Sequence, residues 1–218
     1  IAVRFGAATQ DDAFISFRYA ANLADGHGLV FNPGLTPVEG YTNFLWTVLF
    51  APVIWLGLDP VPVSVALGML FSAALLWSAW ELSGRRWLVP LLVACFPGLS
   101  LEAVQGLETV AFAFLVCQGL RGQSRWALWA GLAALTRPEG YAVFGLLWIW
   151  RRDWRSAAQF SALTVPHLIF RVLYYGDIVP NTFHAKVGGG ETLEGSAMGR
   201  GMAYLGHAVL DLRAELPQ

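Results

Sequence analysis

Two carboxylates stand side by side at Asp11 and Asp12, after Thr9 and Gln10 and ahead of a stretch, 13–24, in which Phe14, Phe17, Ala21 and Ala24 recur at helical spacing. Neighbouring carboxylates repel, so one of them holds a proton more tightly than a lone acid would. Such a pair can act as a general base, and it is compatible with Mg²⁺, Mn²⁺ or Ca²⁺ without demanding any of them. The plainer reading is a helix start: acidic side chains suit the positive end of a helix, and Thr9, Gln10 or Asp11 could cap it. Glu108, in Gln105-Gly106-Leu107-Glu108-Thr109, carries the same two readings, a chemical one and a helix cap. Arg137-Pro138-Glu139 interrupts a stretch, 126–150, that is otherwise apolar. Charge at membrane depth is costly and tends to be functional; the alternative is a weak ion pair at a hairpin tip. A fourth polar segment runs from Asp177 through Pro180, Asn181 and His184 to Lys186, the only lysine in the chain. His184 and Lys186 alternate with small or apolar residues, so both can face one cavity, and a solvated loop explains them as well. His167, beside Pro166, reads as a satisfied interior histidine. No phosphate loop, zinc spacing, nucleotide fingerprint or serine elbow is present.

The elements that must hold these groups are apolar. Hydrophobic residues make up 56% of the 218 and charged residues 13%, with mean hydropathy +0.52. Soluble domains carry about 25% charged residues, so an ordinary globular core does not account for this chain. A net charge of -1 gives no basic field for nucleic acid. Cys95 and Cys117 lie inside apolar runs and make no disulfide framework. The stretch 61–80 is free of charge, and roughly 20 such residues cross a bilayer core. Shorter uncharged runs follow at 87–101, 109–120, 126–136, 140–150 and 156–170, and tryptophans mark their ends, where an aromatic belt belongs. Arginines recur on every second connection: Arg85 and Arg86, then Arg121 and Arg125, then Arg151, Arg152 and Arg155. The alternate connections hold Glu102 and Glu108, then Arg137 and Glu139, then Asp177. The positive-inside rule places the arginine set in the cytoplasm and the acidic set outside. Arg171 is an exception to this sorting.

The expected fold is therefore all-α: a polytopic transmembrane helix bundle with an interfacial external first loop. Residues 1–60 form that loop, with the uncharged run 44–58, broken by Pro52, as an interfacial or re-entrant helix. Residues 61–175 supply the transmembrane helices. Residues 176–218 form a second external segment, in which Met198, Met202, Leu205, Val209 and Leu212 make an amphipathic stripe. The chain starts at Ile1 and ends at Gln218 in mid-pattern, so a longer parent with a further helix upstream is expected.

Asp11-Asp12-Ala13-Phe14-Ile15-Ser16-Phe17-Arg18-Tyr19, Gly28 through Gly34, and Val38-Glu39-Gly40-Tyr41-Thr42-Asn43-Phe44-Leu45-Trp46 together resemble the first external loop of the C-type (GT-C) membrane glycosyltransferases. Within them they are most similar to the branch holding the mycobacterial terminal arabinofuranosyltransferases. Gly106 to Thr109, Thr136 to Gly140 and Gly176 to Lys186 match later segments in the same order. The resemblance implies an integral enzyme of a prokaryotic plasma membrane, with its site facing the periplasm or exterior. It would pass a sugar from a polyprenyl-phosphate donor to a glycan or lipid acceptor of the cell envelope. Asp11 or Asp12 would be the catalytic base. Arg18, Arg137, His184 and Lys186 would neutralise the leaving phosphate. Glu39, Tyr41, Asn43, Glu108, Glu139 and Asn181 would bind substrate or orient the base. The first family helix and the C-terminal half are missing from the pattern, so this fragment is expected to be inactive alone. The rival readings are a non-catalytic transporter or assembly scaffold, and another lipid-linked glycan enzyme with a different acceptor. A transporter would show related halves with broken helices, and no internal repeat is visible.

Overall fold

The computed structural model describes residues 9–122 and 125–177, and all regular structure among them is helical. The elements are α1 (Asp11–Ala24), α2 (Phe44–Trp55), α3 (Pro60–Leu82), α4 (Leu88–Ala94), α5 (Pro97–Val104), α6 (Thr109–Leu120), α7 (Trp126–Thr136), α8 (Glu139–Arg151) and α9 (Trp154–Tyr175). The apolar runs 109–120 and 126–136 become α6 and α7 with the same limits. The run 87–101 does not make one helix. It breaks before Pro97, which opens α5 at the position where a missing amide costs nothing. The run 156–170 ends too early as read from sequence. The helix carries on through Arg171 to Tyr175, because the guanidinium finds a carboxylate rather than water, and it stops at Gly176 in the left-handed region.

At 1.5 Å per residue α3 is about 34 Å long, enough for a hydrocarbon core of about 30 Å. It is the one described helix long and apolar enough to cross a membrane unaided. The α5–α6 pair reaches the same standard jointly, but bends by 117° at the turn between them. Length and apolarity thus support one or two spans among the described residues, rather than the full set of six expected from the runs.

Contacts sort the chain into two ends. At one end Glu81 of α3 pairs with Arg121 after α6, Arg151 of α8 lies over the Trp126 ring of α7, and Arg85 lies over Trp80. At the other end Glu108 before α6 meets Arg137 after α7, and Arg171 near the end of α9 meets Glu39 of the first loop. α3 and α6 therefore run the same way, and α7 and α9 run against them. α1 and α2 pack on each other at the second end, with Phe17 of α1 against Phe50 of α2. Trp46, Phe50 and Ala111 share one apolar cluster with Ala13, Phe17, Ala20 and Val61. The first loop is thereby seated on the bundle.

Candidate active site

The start of α1 is pinned to the turn before α6. The Gln10 amide donates to the Gln105 carbonyl at 3.0 Å, and the Trp46 indole donates to the Gly106 carbonyl at 3.1 Å. Gly106 has a φ of +81°, and a Cβ there would lie 3.0 Å from Thr9 Cγ2 and 3.1 Å from Ser64 Oγ. Both conformation and space call for glycine. This turn delivers Glu108 beside the N-terminal half of α1.

Glu108 stands at the cap position of α6, yet its side chain makes no capping bond. It accepts instead from Asn43 Nδ2 at 2.8 Å and from Arg137 Nη1 at 3.3 Å. Asn43 is held in turn: its Oδ1 accepts from Ser16 Oγ of α1 and from Thr47 Oγ1 of α2, both at 3.0 Å. With two hydroxyls donating to Oδ1, the amide nitrogen is left to face the carboxylate. Arg137 also donates through Nη2 to Glu139 at 3.0 Å. Its guanidinium is held firmly protonated, chiefly by the Glu139 hydrogen bond and then by the nearby Glu108 charge, against the opposing effect of burial. The result is one chain of polar contacts, Ser16–Asn43–Glu108–Arg137–Glu139, tying α1, the first loop and the ends of α6 to α8 together. It merges the two plainer alternatives: the Arg137–Glu139 pair does form, and it is also part of a larger network.

Asp11 and Asp12 occupy the first turn of α1 and are exposed, and no side chain caps the helix at Gln10. Asp12 lies one turn before Ser16 on the same helical face, a rise of about 6 Å. The pair therefore flanks the network without being part of its described hydrogen bonds. Arg18 is exposed, and its Nε donates to the Phe31 carbonyl at 3.1 Å, which braces the first loop. Glu39 is buried against Arg171, at 2.8 Å. Tyr41 is buried, with its hydroxyl 3.0 Å from that of Tyr175. Burial raises the Tyr41 phenol well above its ordinary range, so it stays a neutral hydrogen-bonding group. Asn181, His184 and Lys186 lie outside the described residues. His167 differs from its reading as a satisfied interior residue: it packs on the Phe44 ring with both ring nitrogens buried and unpartnered.

Ser16, Thr47, Arg171 and Tyr175 are not among the candidate site residues read from sequence. Ser16 and Thr47 each follow a chosen residue by four, Asp12 and Asn43, which is the helical spacing that would have flagged them. Arg171 had already broken the charge sorting. Among the described residues no group of three or more His, Cys, Asp or Glu side chains is arranged to hold a metal ion.

No family model matches the chain, and no solved structure matches it. Over 83% of its length it is 32% identical to a terminal β-(1→2)-arabinofuranosyltransferase of Mycobacterium tuberculosis. Over 81% of its length it is 29% identical to a protein of the same name from Corynebacterium glutamicum. The matches cover 35% and 32% of those proteins, so the chain spans about a third of the length of the curated relatives it matches. The likeness carried by the Asp11–Asp12 loop and the later motifs extends over most of the chain, which is a relative of the terminal β-(1→2)-arabinofuranosyltransferases.

Proposed function

We propose that this chain forms part of the membrane-embedded region of a GT-C glycosyltransferase that builds its active site on the outer rim of the bilayer. The sugar, arabinofuranose in this reading, comes from a polyprenyl-phosphate donor and goes to a cell-envelope glycan or lipid. The observation that carries the proposal is the Ser16–Asn43–Glu108–Arg137–Glu139 network beside the exposed aspartate pair, in a chain related to arabinofuranosyltransferases.

A carboxylate of the pair takes the proton from the acceptor hydroxyl as its oxygen bonds to the anomeric carbon. The bond from that carbon to the phosphate oxygen breaks, and the phosphate keeps the electron pair. Arg137, already charged and partly open, is the described cation that this reading assigns to neutralise the growing charge. Asn43 holds Glu108, which in turn holds Arg137, and the two offer hydrogen bonds to sugar hydroxyls. A membrane setting is supported by the exterior of the bundle: only 22% of the apolar window of α3 is buried, whereas the core helix of a soluble protein is mostly buried. Leu70, Trp77, Leu91, Leu146, Ile149 and Leu173 are likewise exposed. With the arginine-rich end in the cytoplasm, the site end faces outward. The described residues before α3 then lie outside with α2 as an interfacial helix, and 61–175 hold the spanning bundle; the second external segment expected beyond them lies outside the described residues.

The test is separate Asp11→Asn and Asp12→Asn exchange in the full-length protein, with transfer measured from a radiolabelled polyprenyl-phosphate arabinose. At least one variant loses about a hundredfold or more, from the lower end of the range for general-base loss upward. Unchanged rates in both variants would remove the base assignment.

A further inference from the structure

The end of the bundle opposite the site carries two adjoining hollows of contrasting character. The first is an apolar groove of about 380 Å³ lined by Leu76, Trp77, Trp80, Trp87, Pro90 and Leu91. Its aromatic wall is continuous, with Trp77 and Trp80 ring centres 4.9 Å apart and Trp80 and Trp87 5.4 Å apart. The second is a polar hollow of about 440 Å³ lined by Glu81, Leu82, Arg85 and Arg121. Arg85 joins them: it lines the polar hollow while its guanidinium lies 5.5 Å from the Trp80 ring of the groove. Its backbone takes a φ of +65°, a conformation rare for a residue with a Cβ, directly after Gly84 at +67°. The Trp80 indole N–H is buried with no partner in the same corner.

We propose that this pair of hollows binds one anionic glycerophospholipid, its acyl chain along the tryptophan groove and its phosphodiester between Arg85 and Arg121. Charge complementarity selects the occupant. Two arginines stand against one carboxylate, Glu81, which Arg121 already engages, leaving one net positive charge for the single negative charge of a phosphodiester. A zwitterionic lipid brings a second cation that the hollow does not match. The apolar groove accepts a hydrocarbon chain of any headgroup, so the groove supplies affinity and Arg85 supplies the choice. The inference rests on the membrane reading alone and is independent of the transfer reaction.

Native mass spectrometry of the full-length protein, extracted in mild detergent and offered phosphatidylglycerol or phosphatidylcholine, reads it directly. The wild-type protein retains one phosphatidylglycerol in preference to phosphatidylcholine. Arg85→Gln lowers that preference about fivefold, the equivalent of roughly 1 kcal/mol for one arginine near a charged headgroup. Trp77→Ala weakens retention of both lipids. Arg125→Gln with Arg155→Gln, two exposed arginines that do not line either hollow, leaves the preference in place. Equal retention of the two lipids by unaltered protein overturns the proposal without recourse to any variant. An Arg125/Arg155 effect as large as that of Arg85 overturns it too, since it reduces the selectivity to the general charge of that end. Loss of transferase activity in any of these proteins has no bearing on either outcome.

Discussion

Two carboxylate–arginine pairs sit at the same end of this molecule and are built differently. Glu39 and Arg171 are closed in, with side chains 4% and 9% exposed, and the pair bridges the first loop to the end of α9. Glu108 and Arg137 are asymmetric: the carboxylate is 8% exposed and the guanidinium 33%. The first pair faces protein on all sides and holds two distant segments in register. Tyr175, one turn beyond Arg171, adds bonds to Tyr41 and to the Leu29 carbonyl. The second pair keeps its cation partly open while its anion is clamped by Asn43. A closed ion pair can only staple, because any ligand would first have to break it. A half-open one can exchange part of its solvent shell for a substrate anion. The same two residue types thus close one contact fully and leave the other half open, and under the proposed function this burial of the arginine is what separates a structural role from a chemical one.

The largest effect that tests this contrast is expected from Arg171→Gln. It strands the Glu39 carboxylate in a dry setting, a loss of about 3–5 kcal/mol of stability, seen as a lower melting temperature in detergent. The pH dependence has a definite sign. Burial holds the Glu39 carboxyl above its ordinary range, with Arg171 pulling it down, so the folded state favours the protonated acid relative to the unfolded chain. Ionised Glu39 therefore costs stability as pH rises from the unfolded pKa through the raised folded one, and removing Arg171 enlarges that cost. The Arg171→Gln deficit shrinks toward acid pH, and Glu39→Gln in the same chain recovers most of it at neutral pH. A deficit that stays constant with pH would show that the pair is not the staple described.

Arg137→Gln is expected to divide the two regions the other way. Transfer falls about a hundredfold in kcat, in line with the removal of one donor aimed at developing charge. The melting temperature changes less than in Arg171→Gln, since the open side of Arg137 lets water replace it and Asn43 still serves Glu108. An equal fall in stability and activity would erase the distinction between the pairs. The smallest effect is that of Tyr175→Phe, which removes the hydroxyl bonded to Tyr41 and Leu29 and costs about 1–2 kcal/mol of stability with kcat retained.

Much of the architecture could be read from residue order. Helix limits at 109–120 and 126–136 coincide with the uncharged runs, because the helix ends where arginine, glycine or proline can no longer be accommodated in an apolar face. The alternation of charge along the connections also matches the two ends seen in contacts, with Arg85, Arg121 and Arg151 at one and Glu108, Arg137 and Glu139 at the other, while Arg171 stays an exception. The grouping of Glu39, Tyr41, Asn43, Glu108, Arg137 and Glu139 at one end was anticipated, but their division into two networks was not. Glu39 and Arg171 are 132 residues apart, and Asn43 and Glu108 are 65 apart. No local spacing rule reaches over such distances, so Arg171 looked misplaced until its partner was known.

Residue order determined the all-helical structure of the described residues, the ends of two of its apolar runs, and the kinship to arabinofuranosyltransferases, because periodicity and motif are properties of neighbours along the chain. The tertiary arrangement decided which carboxylate met which arginine, that Glu108 would accept from Asn43 instead of capping its own helix, and which cation kept an open side. Those choices depend on how helices pack. A buried charge takes the partner that packing brings within about 3 Å, whatever lies beside it in sequence.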